Sequence, residues 1–146
     1  MEIMKWSDGP TMEHVRYWHA CTTISGNKEH TGGVIVVGGK YSDDTAEILE
    51  FGSNRWKTVG KTPLANLNGH TVTPANSLEY ILYSVGGKIS NTDYVKGIYG
   101  LTHSHTWSLV GNLTNKRRWH TSLNLKQEVI GHNFIGQWSQ RQIPRC

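Results

Sequence analysis

Eight histidines in 146 residues are the richest supply of reactive groups in this chain, and their spacing decides what they can do. His19, His70 and His120 stand 51 and 50 residues apart. A residue that returns at one place in successive copies of a pattern serves something every copy needs, and a buried hydrogen bond between strands is the expected role. His103 and His105 alternate onto one face of an extended chain, as a metal pair would, but no third ligand stands near them and a turn or surface role is expected. Asp43-Asp44 is the adjacent carboxylate pair; neighbouring side chains diverge, so it reads as solvating a turn rather than as an acid–base couple. Cys21, within the strand-like His19 to Ile24, reads as a small core residue, and with Cys146 it is too little for a disulfide framework. Gly-x-Ser-x-Gly, the phosphate-loop pattern and Cys-x-x-Cys do not occur. The expectation is therefore no catalytic residue, no metal site and no cofactor.

Charge narrows the partners. The formal net charge is +4 and the pI about 9.1, but only Lys116-Arg117-Arg118, followed by Trp119, forms a cluster, which argues against nucleic acid. No apolar run approaches the roughly 18 to 20 residues of a membrane span, and MEIMKWSDGP lacks the apolar core of a signal peptide, so no membrane partner and a cytoplasmic location are expected. Asn112-Leu113-Thr114 is then an accidental glycosylation sequon.

The elements that hold these residues are short strands. Sixteen glycines, four prolines and six tryptophans with 18% charged residues suit a glycine-rich all-β chain. Val34 to Val37 is apolar, β-branched and too short for a helix, and reads as a strand buried on both faces. Gly38-Gly39 ends it, Lys40 to Thr45 is a loop, Ala46 to Phe51 a second strand, Gly52-Ser53-Asn54 a turn, and Trp56 opens a third strand to Val59. Much of this returns later. Trp6, Trp56 and Trp107 are 50 and 51 apart and Gly60 and Gly111 are 51 apart, while Gly86-Gly87 follows Tyr80 to Val85 at a spacing of 48 from the first pair. The recurring tryptophans read as packing residues. A third copy is degraded: the position after Gly136 is Gln137, and the tail Gln137 to Cys146 has no counterpart.

Each copy reads as four strands: one around the histidine, one ending in the glycine pair, one before the turn and one carrying the tryptophan. This pattern resembles the kelch repeat, on Arg16-Tyr17-Trp18-His19, Val34 to Gly39, Glu47 to Glu50 and Asn54-Arg55-Trp56 in the first copy, His70, Ile81 to Gly87 and Trp107 in the second, and Arg117-Arg118-Trp119-His120 in the third. The tyrosine usual seven residues before the tryptophan is replaced by Leu49 and Gly100, and the arginine before the histidine by Leu67 in the second copy. The resemblance implies an all-β, kelch-type β-propeller of four-stranded antiparallel meanders, incomplete at about three blades: residues 1–9 as the last strand of a preceding blade, 10–60 and 61–111 as two blades, 112–136 as a partial blade, and 137–146 outside the repeat. In it Gly38, Gly39, Trp56, Gly86, Gly87, Trp107, His19, His70 and His120 carry the repeat.

So few blades leave flanks open, which implies a fragment of a longer propeller, a truncated product, or a chain that closes by self-association. In a meander the loop after the glycine pair and the loop to the next copy emerge at one end, and these stretches differ most between copies. The expected function is a protein-interaction module, without catalysis, contacting a protein partner through Lys40, Tyr41, Asp43, Asp44, Lys88, Asn91 and Asp93. Trp18 and Trp119 precede in-phase histidines where the second copy has Gly69, so they could serve either packing or surface contact. Two other readings stand beside this one: part of a copper-radical sugar oxidase-like propeller, and a remnant without independent function.

Overall fold

A computed structural model describes residues 7–26, 31–75 and 77–124. Among them the chain is all-β: eight strands, no helix, and two four-stranded antiparallel sheets, each a simple meander in chain order. The first sheet holds β1 (Ala20–Ser25), β2 (Gly32–Val37), β3 (Thr45–Glu50) and β4 (Lys57–Lys61); the second holds β5 (Thr71–Pro74), β6 (Tyr80–Val85), β7 (Gly97–Thr102) and β8 (Trp107–Asn112).

The two sheets repeat one another in detail. The ladder between the third and fourth strands is shifted at Ala46/Glu47 in the first and at Ile98/Tyr99 in the second, a bulge at the same place in each. The loop after the glycine pair is closed in both by one bond at one length, Gly38 N–H to Thr45 C=O and Gly86 N–H to Gly97 C=O, each 3.1 Å. The second loop is longer, with a turn of its own in which Ile89 N–H donates to Asp93 C=O at 3.0 Å. That insertion explains why the glycine pairs are spaced differently from the tryptophans.

The core lies where the sheets face each other, with β1 and β5 as neighbouring strands. Ile24, Ile35, Val37 and Ala46 of the first sheet meet Val72, Leu82 and Leu101 of the second. Ile35, Leu82 and Leu101 are almost wholly buried, and each such side chain contributes roughly 1.5–3 kcal/mol by leaving water. Cys21 is exposed, not a core residue. It points to the opposite side of β1 from Ala20 and Ile24, away from the second sheet, whereas Val72, one period on, faces the first sheet and is buried.

Boundaries differ in places from the sequence reading. The histidine precedes its strand instead of lying within it, since β1 starts at Ala20 and β5 at Thr71. Trp56 stands just before β4, whereas Trp107 opens β8. Residues 113–124 run over the second sheet without forming a strand; Asn124 N–H donates to Thr73 Oγ1 at 3.2 Å and its side-chain amide to Pro74 C=O at 2.9 Å. Residues 7–9 carry no strand, and Trp6, Gly136, the tail 137–146 and Cys146 lie outside the described residues.

Candidate binding surface

Three short segments, Arg16 to His19, Leu67 to His70 and Arg117 to His120, occupy equivalent places and are tied directly to each other. Gly69 N–H donates to Trp18 C=O at 3.1 Å, and Trp119 N–H donates to Gly69 C=O at 2.9 Å, so one backbone chain links all three copies. A second set runs from the glycine pairs: Gly39 N–H to Leu67 C=O at 2.9 Å and Gly87 N–H to Arg117 C=O at 2.8 Å. Each segment also pairs with the residue after its own glycine pair, Tyr17 with Lys40 and Asn68 with Lys88.

The glycines make these contacts possible. A Cβ on Gly38 would lie 2.5 Å from Leu67 O and 3.1 Å from the His70 ring, and one on Gly86 would lie 2.8 Å from Arg117 O and 2.9 Å from the His120 ring. The histidine of each following copy therefore packs on the first glycine of the preceding pair. At His70 neither ring nitrogen meets good hydrogen-bond geometry, the backbone of Val37 being its polar partner, so the ring serves mainly by packing on Gly38. Burial, reinforced by the His120 and His19 charges, pulls its pKa from 6.5 to about 3, so the ring is neutral at physiological pH. His120 Nε2 does reach Thr71 Oγ1 at 3.2 Å, and His19 is exposed. Partial loss of water around each ring, helped by the charge of Arg16 and of Arg117, lowers the pKa of both.

Trp56 and Trp107 also act alike. Their indole N–H groups donate to Pro10 C=O at 2.9 Å and to Lys61 C=O at 2.8 Å, acceptors at the same distance along the chain from each ring. Arg16 is buried and binds Gly38 C=O, Thr45 C=O, Thr45 Oγ1 and the carboxylate of Glu47. Glu47 also accepts from the backbone N–H groups of Glu13 and His14 at 2.7 and 3.1 Å. Glu13, His14 and Glu47 are close enough to hold a cation, but the Glu47 oxygens are already occupied by these donors, and the cluster satisfies itself as an anchor for residues 13–16.

The in-phase segments leave their large side chains on the surface. Tyr17, Trp18, Tyr41 and Trp119 are 40, 46, 75 and 53% exposed and contact one another in series: Tyr41 to Tyr17 with ring centroids 5.5 Å apart, Tyr17 to Trp18 at 4.7 Å, Trp18 to Trp119 at 5.5 Å, all edge to face. The Trp119 indole packs on Gly69, where a Cβ would stand in ordinary contact with the ring at 3.4 Å. Lys88 Nζ lies 5.5 Å from the Trp18 ring centroid, and the Arg118 guanidinium 5.2 Å from that of Tyr94. Trp18, Tyr41 and Trp119 have φ of 58°, 62° and 54°, a region bulky residues seldom adopt.

Of the seven loop residues expected to bind a partner, Lys40, Tyr41 and Lys88 join this aromatic surface. Asp43 and Asp44, also in left-handed backbone, serve the loop: Asp44 Oδ1 accepts from Asn66 N–H, Asp43 C=O accepts from Lys61 Nζ at 2.8 Å, and the Asp43 carboxylate lies 3.8 Å from His14 Nε2. Asp93 is 3.7 Å from Lys116 Nζ, and Asn91 is exposed on the inserted turn. His103 and His105 are exposed in the turn between β7 and β8. The residues missing from the sequence expectation are Tyr17, Tyr94 and Arg118. No protein-family model matches the chain, and a search of curated proteins found no match. No helix among the described residues is long and apolar enough to cross a membrane.

Proposed function

We propose that the chain is a non-catalytic protein-interaction module built from kelch-like propeller blades, one to each sheet, and that it holds a protein partner on the surface formed by Tyr41, Tyr17, Trp18 and Trp119. The blade reading is supported by the shared meander order, the in-phase bulge and the matching indole bonds of Trp56 and Trp107. In that reading the set of blades is open, and further blades of a longer chain or of a second copy complete it. The binding reading is carried by one observation: four large aromatic residues lie contiguous and 40 to 75% exposed on backbone pinned between repeats. Rigid tyrosines and tryptophans bury much area at little cost in side-chain entropy, and they dominate protein interfaces. Lys40, Lys88, Asp43, Asp44, Asn91 and Asp93 form the polar rim.

The test is selection of binders from a displayed random-peptide library against the whole chain. Tyr41→Ala and Trp119→Ala are each expected to weaken the selected peptides about tenfold or more, the size of one interface anchor, while Leu109→Ser on the exposed face of β8 leaves them unchanged. Peptides that bind all three variants equally would overturn the proposal.

A further inference from the structure

Lys40 and Lys88 each follow a glycine pair and each bridge to the in-phase segment, so they are one position seen in two repeats. Lys88 is 6% exposed. It is the stem that is buried: the ammonium is not among the buried polar atoms that lack a partner, so the head of this long side chain reaches the surface beside Trp18. Among the described residues no carboxylate lies within ion-pair distance of Lys88 or of Lys40. The carboxylates of the same loops are engaged elsewhere: Asp93 by Lys116, Asp44 by the Asn66 amide, Asp43 beside His14. Among the described residues the Lys88 ammonium lies over the Trp18 face, 5.5 Å from its centroid.

We infer that Lys88, with Lys40, is the receptor for a carboxylate on the partner, and that the partner presents an acidic segment with apolar or aromatic residues beside the acid. This rests on the protein-binding reading above and gives the partner its chemistry. The cation–π contact with Trp18 holds the ammonium in place while leaving its hydrogens free to donate, and a carboxylate arriving there accepts from it. The surrounding rings exclude water from the pair and strengthen it. A continuous polyphosphate strand fits less well, since Asp43 and Asp93 stand exposed on the same two loops and would repel it. Acidic side chains spaced along a peptide can avoid them.

The same peptide selection decides the matter, read by sequence and by variant. Enriched peptides are expected to be rich in Asp and Glu and to lose affinity as salt rises. Lys88→Met, which keeps the buried stem and removes the charge, should weaken them about tenfold or more, with Lys40→Met weakening them less because Lys40 is less buried. Near-UV circular dichroism of the tryptophans verifies that each variant is folded, and Lys40→Met serves as the charge test should Lys88→Met fail to fold. Peptides of neutral or basic composition that depend on Tyr41 and Trp119 but not on the lysines would overturn this inference and leave the protein-binding reading standing. Binders indifferent to the aromatic residues would overturn both. Displacement of an acidic peptide by a mixed-sequence single-stranded oligonucleotide at equal or lower concentration would reassign the site to nucleic acid and overturn the inference.

Discussion

His70 makes the stability of this chain depend on pH in a calculable way. In the fold the ring is 5% exposed and its pKa is depressed to about 3. In the unfolded chain it returns to about 6.5. Between those values the unfolded state binds the proton and the native state refuses it, so stability falls as pH drops below about 6.5 and is complete above it. From pH 7 to pH 5 the loss from His70 alone is about 2 kcal/mol. His19 and His120, shifted in the same direction, add to it. Urea unfolding followed by tryptophan fluorescence should show the midpoint falling by about 1 M over that interval, given a slope of roughly 2 kcal/mol per molar urea. In His70→Gln the pH dependence should shrink by the His70 share, although the variant is less stable at pH 7 because a polar amide replaces a ring packed on Gly38. An unchanged pH dependence in His70→Gln would refute the reasoning, since it would mean that His70 takes up its proton without leaving its buried seat.

Three further outcomes follow from the contacts described. Arg16→Met leaves the Glu47 carboxylate buried without its guanidinium and is expected to cost about 3–5 kcal/mol in denaturant unfolding, whereas Arg16→Met with Glu47→Leu should recover part of that loss. Gly38→Ala should destabilise clearly more than Gly52→Ala, because both have positive φ but only the first sets a Cβ 2.5 Å from a carbonyl oxygen; equal losses of about 1 kcal/mol in paired melts would mean the inter-repeat contact is not tight. Trp18→Gly should lower the melting temperature less than the lost ring contacts alone predict, because glycine accepts a φ of 58° and releases roughly 1 kcal/mol or more of strain, while abolishing peptide binding.

The repeat was legible in the sequence because its landmarks are imposed by backbone. Gly38 and Gly86 must be glycine where a neighbouring carbonyl and an imidazole press on them, and Trp56 and Trp107 recur because each caps an equivalent carbonyl. The strands followed from β-branched runs such as Val34 to Val37. The role of the in-phase histidines was not legible, since phase shows that a position matters but not whether it bonds or fills space. Cys21 misled because its strand has one face toward the second sheet and one away, and an alternating strand does not announce which is which. The surface was half legible. Lys40, Tyr41 and Lys88 were found by loop position, but Tyr17, Trp18 and Trp119 come together only when the first and third copies meet across the second, a contact between residues about a hundred apart.

The sequence Trp18, Gly69, Trp119 at one repeat position can be read as decay of a pattern, with the middle copy having lost its aromatic. The geometry argues the reverse. The position takes φ of 58°, 60° and 54° in the three copies, so glycine is the residue its backbone favours and the tryptophans are the strained exceptions. That backbone is fixed by the bonds from Gly69 to Trp18 and from Trp119 to Gly69, which hold whatever the side chain. A tryptophan there is only about half buried, since 46% of Trp18 and 53% of Trp119 remain exposed. Glycine in the middle and tryptophan on either side is thus the arrangement that places two indoles edge to face over a rigid ladder. In the protein-binding reading proposed above, these two exposed indoles on strained backbone are contact residues.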